Sequence, residues 1–179
     1  MTKFRMLSIA AGVAACMAMP ASARAHATVN EAEDATAALR KADPSLTKFF
    51  EHSAGYAVFP NVAKGGLVVG GAGGTGIVFE KGKAVGKTTL SQATIGAQIG
   101  GEAYYEIIFF ETSKSLGAFK KGEWTMAAQV SAVALSSGAS ANAKYKAGVA
   151  VFTLTKSGAM AEASVGGQKF SYEPMVGSS

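Results

Sequence analysis

Chemistry-bearing side chains are scarce in this 179-residue chain. It has one cysteine, Cys16, two histidines, His26 and His52, and aspartate only at positions 34 and 43. A single early cysteine excludes an intramolecular disulfide, so stability must come from packing. So few histidines and aspartates leave no material for a hydrolytic triad, and no His, Cys and acid spacing forms a transition-metal site. The reading is therefore non-enzymatic, with no cofactor and no metal. Charge is sparse as well, at 16% of residues. The formal excess of +5 shrinks to +2 once Lys3, Arg5 and Arg24 of the N-terminal segment are set aside, too little for a general nucleic-acid binder. No apolar run reaches the ~20 residues of a membrane-spanning helix.

That N-terminal segment has a recognisable plan. Lys3 and Arg5 precede an apolar run from Met6 to Met19, followed by Pro20 and the small-residue stretch ASARAHA. This is the layout of a secretory signal, and it predicts an exported periplasmic or envelope protein. Ordinary cleavage falls near residues 25–27, which divides the chain into a signal peptide at 1–27, one domain at 28–174 and a flexible tail at 175–179. Val13-Ala14-Ala15-Cys16 also resembles a bacterial lipobox, which makes Cys16 a candidate lipidation site and membrane anchor. Met17 to Met19 prolong the apolar run beyond it, and so favour ordinary cleavage.

Residues 29–53 read as a helical pair. Asn30 with Glu33 forms a weak capping pair, and Ala35, Ala38, Leu39 and Ala42 mark one face of the first helix. Asp43-Pro44 starts the second, which carries Phe49 and Phe50 on its apolar edge and ends near His52, placed to satisfy free carbonyls. From Gly55 the pattern is β, with strands expected near 56–59, 66–70, 76–80, 84–90, 93–99 and 103–111. After a helical turn in Ser113–Phe119, strands resume near 124–134, 141–145, 148–155, 159–165 and 168–172. The fold class is α+β, a mostly antiparallel β-barrel or sandwich with a short N-terminal helical pair.

Two glycine motifs imitate nucleotide-binding loops. Gly71 to Gly76, GAGGTG, has the dinucleotide spacing, but Ile77, Val78 and Phe79 follow as a strand where a helix is required. It reads as a glycine connection between strands. Gly82 to Thr88, GKAVGKT, has one residue too few between its glycines for a phosphate loop and also runs into a strand. Glu102 and Glu106, four apart on one strand face and so roughly 13 Å apart, are too distant for a glycosidase pair. They read as strand-end or edge charges.

The order of motifs is similar to that of one family. Gly55-Tyr56-Ala57-Val58-Phe59-Pro60-Asn61-Val62, Lys64-Gly65-Gly66, Gly70-Gly71, Gly76, Gly96-Ala97-Gln98-Ile99-Gly100-Gly101, Phe109-Phe110 and Gly166-Gly167-Gln168-Lys169-Phe170 resemble the SYLF domain family over residues 30–174. The family includes eukaryotic phosphoinositide-binding and actin-regulating proteins and small exported bacterial members. The resemblance implies a lipid-binding domain with a basic surface, not an enzyme. An exported chain meets no cytosolic actin, so the actin role does not carry over.

On that reading Lys64, Lys81, Lys83 and Lys87 contact anionic phospholipid headgroups, with Lys120 and Lys121 as further candidates ahead of Trp124. At about 1 kcal/mol per lysine near an anionic bilayer, three or four suffice for peripheral binding. Two rival readings stand beside it: a barrel that carries one small apolar ligand, and a structural envelope protein that binds a protein partner through an edge strand.

Overall fold

The computed structural model describes residues 26–66, 69–95, 102–156 and 165–176. The signal segment and Cys16 lie outside the described residues, as does most of the strand expected at 159–165. Helix α1 spans Val29–Ala42. Its cap lies two residues before the expected Asn30: the Thr28 hydroxyl accepts from the Glu31 backbone N–H at 3.2 Å, and the Glu31 carboxylate accepts from the Thr28 N–H at 2.8 Å. The Thr28 hydroxyl also donates to Glu31 Oε2 at 2.8 Å, and the two bonds that the carboxylate accepts from Thr28 lower the Glu31 pKa. Ala32, Ala35 and Leu39 form the buried face of α1.

A 3-10 turn at Pro44–Leu46 leads into α2, Thr47–His52. Asp43 caps the turn and does more. Its Oδ1 accepts from the Ser45 N–H, the Ser45 hydroxyl and the Gly138 N–H, while Oδ2 accepts from the Ser140 N–H at 2.6 Å. The carboxylate is fully buried, which by itself would raise its pKa; the bonds from Ser45 and Ser140 overcome that and hold it well below the usual carboxylate range. One side chain thus ties the helical pair to a loop some ninety residues away.

Among the described residues eight strands form one sheet: β1 Gly55–Gly66, β2 Val69–Glu80, β3 Lys83–Ile95, β4 Glu102–Phe110, β5 Trp124–Thr125, β6 Ala132–Ala134, β7 Val149–Thr155 and β8 Lys169–Pro174. Helix α3, Ser113–Phe119, follows β4, as the SKSLGAF segment predicts. The spatial order is β5-β8-β3-β2-β1-β4-β7-β6, antiparallel throughout except for the β6–β7 pair. The architecture is α+β with a curled, barrel-like sheet, and its two edges remain apart, so it is not a closed barrel.

Contacts across the sheet measure the curl. Neighbouring strands lie about 4.8 Å apart, so β1 and β8, three steps apart, would be separated by roughly 14 Å if the sheet were flat. Yet the rings of Phe59 and Phe170 meet at 5.7 Å. The concave face holds Phe59, Phe110, Phe119 and Phe170 in one core with half-buried Trp124. The opposite face is covered by α1 and α2, with Phe49 buried against Phe109 and Phe152 and Phe50 packed edge-on against Phe109. The Phe49-Phe50 pair therefore packs the helix onto the sheet.

Several strand expectations change, among them the separate strands at 84–90 and 93–99, which run as one strand, β3, through Ile95. GAGGTG is the interior of β2, not a connection. Its glycines are there for close approach: a Cβ at Gly76 would sit 2.5 Å from the Val58 carbonyl oxygen, and one at Gly74 would sit 2.6 Å from that of Asn61. Between those two β1 residues the register shifts at a bulge containing Pro60, which has no N–H to give to the ladder. Residues 124–134 hold two short strands, and 141–145 forms no strand but a turn leading into irregular backbone.

Gly76→Val should cost about 3 kcal/mol in urea unfolding, since the intruding atom meets rigid backbone. Asp43→Ala should cost about 3 kcal/mol at neutral pH by stripping buried N–H groups of their acceptor. Because the folded-state pKa of Asp43 is depressed, its contribution is complete above the ordinary value of 3.8 and is lost as pH falls below it. The gap between wild type and Asp43→Ala should therefore narrow in acid.

Candidate functional site

The strand register fixes which lysines share an end of the molecule. Tyr56 stands opposite Phe79 and Phe109, and Phe109 opposite Ala150. The β2–β3 turn, the β4–α3 junction and the start of β7 are therefore level. Glu80-Lys81-Gly82-Lys83 makes that turn with positive φ at Lys81 and Gly82, +52° and +77°, the left-handed pair that a tight hairpin needs. Lys81 and Lys83 are exposed at its tip.

Lys120 caps the C-terminus of α3 and reaches the same turn. Its ammonium donates to Glu80 Oε2 at 2.8 Å, a bond that also raises its pKa, and it stands 6.0 Å from the centroid of the Tyr172 ring. Half of its charge task is thus internal. Lys121, next in the chain, is exposed.

Two lysines that sequence reasoning missed join this end. Lys114 is exposed in the first turn of α3, and exposed Lys146 precedes Gly148, whose carbonyl accepts from the Glu111 N–H at 2.9 Å. Lys114 has no lysine or arginine beside it in sequence and Lys146 has only Lys144; the register brings both level with the hairpin. Lys81, Lys83, Lys114, Lys120, Lys121 and Lys146 face Glu80 and Glu111 here, and the end of α2 adds Lys48 and Glu51, one of each sign. A cleft of about 600 Å³ opens beside this end, walled by Phe49 and Tyr145 with Lys48, His52 and Lys144 at its rim.

The other proposed headgroup ligands lie elsewhere. Lys87 is half-buried within β3 and stands in register with Glu173 of β8, an acidic neighbour. Lys64 is opposite Ala72 and Glu102. Ala72 is eight residues along β2 from Glu80, so Lys64 is roughly 25 Å from the hairpin tip. The six candidates form one basic end of four residues, Lys81, Lys83, Lys120 and Lys121, with Lys87 along the hairpin and Lys64 at the far end.

Glu106 corrects the reading of it as an edge charge. It occupies the centre of β4, is fully buried, and points to the concave face with Tyr104 and Ile108. Gln168 Nε2 donates to its Oε2 at 3.0 Å. Burial pushes its pKa up to about 7, with the Gln168 bond opposing. Sequence periodicity marks the position as buried but cannot name a partner 62 residues away.

His52 ends α2 as expected, with Nδ1 at 2.7 Å from the Lys48 carbonyl. Trp124 is half-buried between Phe119 and Phe170 at 5.6 and 5.5 Å. Among the described residues no group of three or more His, Cys, Asp and Glu could hold a metal, and no helix is long and apolar enough to cross a membrane.

Comparison with known proteins bears on the same residues. The model of the Ysc84 family, described as "Las17-binding protein actin regulator", matches residues 91–174, from β3 to the last residue of β8. The chain is also similar to beta cell expansion factor A of Aeromonas veronii, at 30% identity over 142 residues. That alignment covers 78% of this chain and 53% of the relative, so the chain spans about half of that protein's length. The glycine segment from Gly55 to Gly76 precedes the family match, while Gly166-Gly167-Gln168-Lys169-Phe170 lies inside it. Residues 91–174 belong to the Ysc84 family, the SYLF domain family that the motifs of this chain resemble.

Proposed function

We propose that this chain is a non-catalytic envelope module that docks on anionic phospholipid through the basic end built by the β2–β3 hairpin and α3. The observation that carries the reading is the convergence of exposed Lys81, Lys83, Lys114, Lys121 and Lys146 at one end of the sheet, where Glu51, Glu80 and Glu111 oppose them and Glu123 follows two residues after Lys121. The lipid association implied by the SYLF family supports it.

The physical case rests on how exposed cations meet a bilayer. Each lysine contributes about 1 kcal/mol beside an anionic surface, so five together give a binding energy useful for reversible attachment with no deep pocket. The tight hairpin holds two of them on a rigid tip, which keeps the ordering cost of binding low. Glu80 holds Lys120 at the base of that tip and so positions α3 against it. Export brings the domain to the envelope, and lipidation of Cys16 would add a second, covalent attachment.

Sedimentation with vesicles tests this, using residues 28–179 so that no lipid anchor contributes. Binding should be seen with phosphatidylglycerol vesicles, be absent with phosphatidylcholine alone and fall steeply with salt, because exposed charges are screened beyond about 8 Å at physiological ionic strength. Changing Lys81, Lys83 and Lys121 together to Glu should weaken binding at least about 100-fold, and Lys64→Glu should leave it within about two-fold. Equal binding to both vesicle types, or equal loss in the two variants, would refute the basic-end mechanism.

A further inference from the structure

Before β7 begins, residues 142–146 form a strap with a cleft on each side. The strap is tied at both ends. The Ala143 N–H donates to the Ser140 carbonyl at 3.1 Å, and Lys146 and Val149 exchange backbone bonds of 2.8 and 3.1 Å around a tight turn with positive φ at Ala147 and Gly148, +51° and +80°. In its middle the Tyr145 ring stands edge-on to Phe49 at 5.4 Å. The Tyr145 hydroxyl is shielded from solvent, so the half-buried side chain presents its ring.

One cleft, of about 600 Å³, lies between the strap and α2, and its apolar lining is Phe49, Ala143 and Tyr145. The other, of about 320 Å³, lies between the strap and the β6–β7 edge, lined by Val130, Val133, Val149 and Phe152. Both volumes fall within the roughly 300–1,000 Å³ of small-molecule sites. Ala143 and Lys144 line both clefts. Two apolar clefts that meet at the same two residues suit a body that is long and one chain wide; a broad ring system would fill one and leave the other.

The charges around the two clefts do not balance. Lys48, Lys144 and Lys146 line them against a single carboxylate, Glu111, with His52 beside Lys48. Lys48 is held in place: its ammonium donates to the Ala141 carbonyl and stands 4.9 Å from the centroid of the Phe49 ring, over the apolar floor. Lys144 and Lys146 are exposed on the strap itself. Three ammonium groups around an apolar lining complement a molecule with one anionic head and one apolar tail, and they repel a cationic amphiphile of the same shape.

We propose that the clefts flanking this strap bind a free fatty carboxylate, with its head at Lys48 and Lys144 and its chain along Tyr145 and the β6–β7 wall. This goes beyond docking on a bilayer. The hairpin tip meets headgroups that stay in their membrane, whereas the clefts take a single monomer from solution and use none of Lys81, Lys83 and Lys121.

Calorimetric titration with dodecanoate tests the site, below the concentration at which it forms micelles and without vesicles, on the chain from His26 onward, which contains every described residue. Dodecanoate should bind saturably, one molecule per chain. Dodecyltrimethylammonium, with the same tail and the opposite charge, and acetate, with the head alone, should give no saturable heat. Lys144→Glu should weaken dodecanoate binding at least about ten-fold, because an attraction at short range becomes a repulsion, while Lys81→Glu at the hairpin tip should leave it within about two-fold. Ala143→Trp fills the place where the clefts meet and should abolish binding, yet leave sedimentation with phosphatidylglycerol vesicles unchanged, so that loss of the clefts and loss of the basic end are told apart. If circular dichroism shows that Ala143→Trp does not fold, Lys144→Glu, at an exposed position, decides the matter. Equal binding of the two amphiphiles, no binding of dodecanoate, or an affinity unmoved in Lys144→Glu would overturn the proposal.

Discussion

The curl of the sheet across its concave face is the constraint on which the other features depend. Strands that would lie roughly 14 Å apart in a flat sheet bring Phe59 and Phe170 to 5.7 Å, and the same curvature brings Gln168 to Glu106. Each buried ring contributes about 1.5–3 kcal/mol, so the cluster of Phe59, Phe110, Phe119 and Phe170 outweighs the strain of bending and the desolvation of one carboxyl. Bending requires backbones to approach closely on the inside of β1 and β2. Glycine at 74 and 76 is the residue type that permits it.

With the curl set, the two faces acquire separate duties. The concave face packs on itself and on α3, while the convex face takes the helical pair, fastened by the Asp43 carboxylate to Gly138 and Ser140. The strand ends then fall into two groups. One end collects the hairpin tip, α3 and the start of β7, and with them most of the exposed lysines of this region. The basic end is thus a product of register: no single stretch of sequence contains it.

Much of this was legible in the chain before its fold. Asp43-Pro44 announced the break between the helices, Glu80-Lys81-Gly82-Lys83 announced a hairpin, and Tyr104 to Phe110 announced a central strand. Other features were hidden for physical reasons. Glycine marks both a turn and a close backbone approach, so GAGGTG read as a connection when it was the inside of a bend. Glu106 read as an edge charge because its partner comes from the other end of the domain, and hydrogen bonding across a curl leaves no local period. Lys64 stood with the other basic candidates because sequence proximity says nothing of which end of a strand a residue occupies. Lys114 and Lys146 were passed over for the same reason.

The central claim is that one end of the curled sheet meets the membrane, and site-specific labelling tests it most directly. The chain after residue 27 contains no cysteine, so a single introduced one carries an environment-sensitive dye to a chosen position. Gly117→Cys places it on exposed α3 beside the basic end, where a side chain meets nothing within 4 Å, and Ala63→Cys places it on exposed β1 toward the other end. On adding phosphatidylglycerol vesicles, the account predicts a blue shift and brightening at position 117 and no change at 63. The reverse pattern, or equal changes at both, would contradict it.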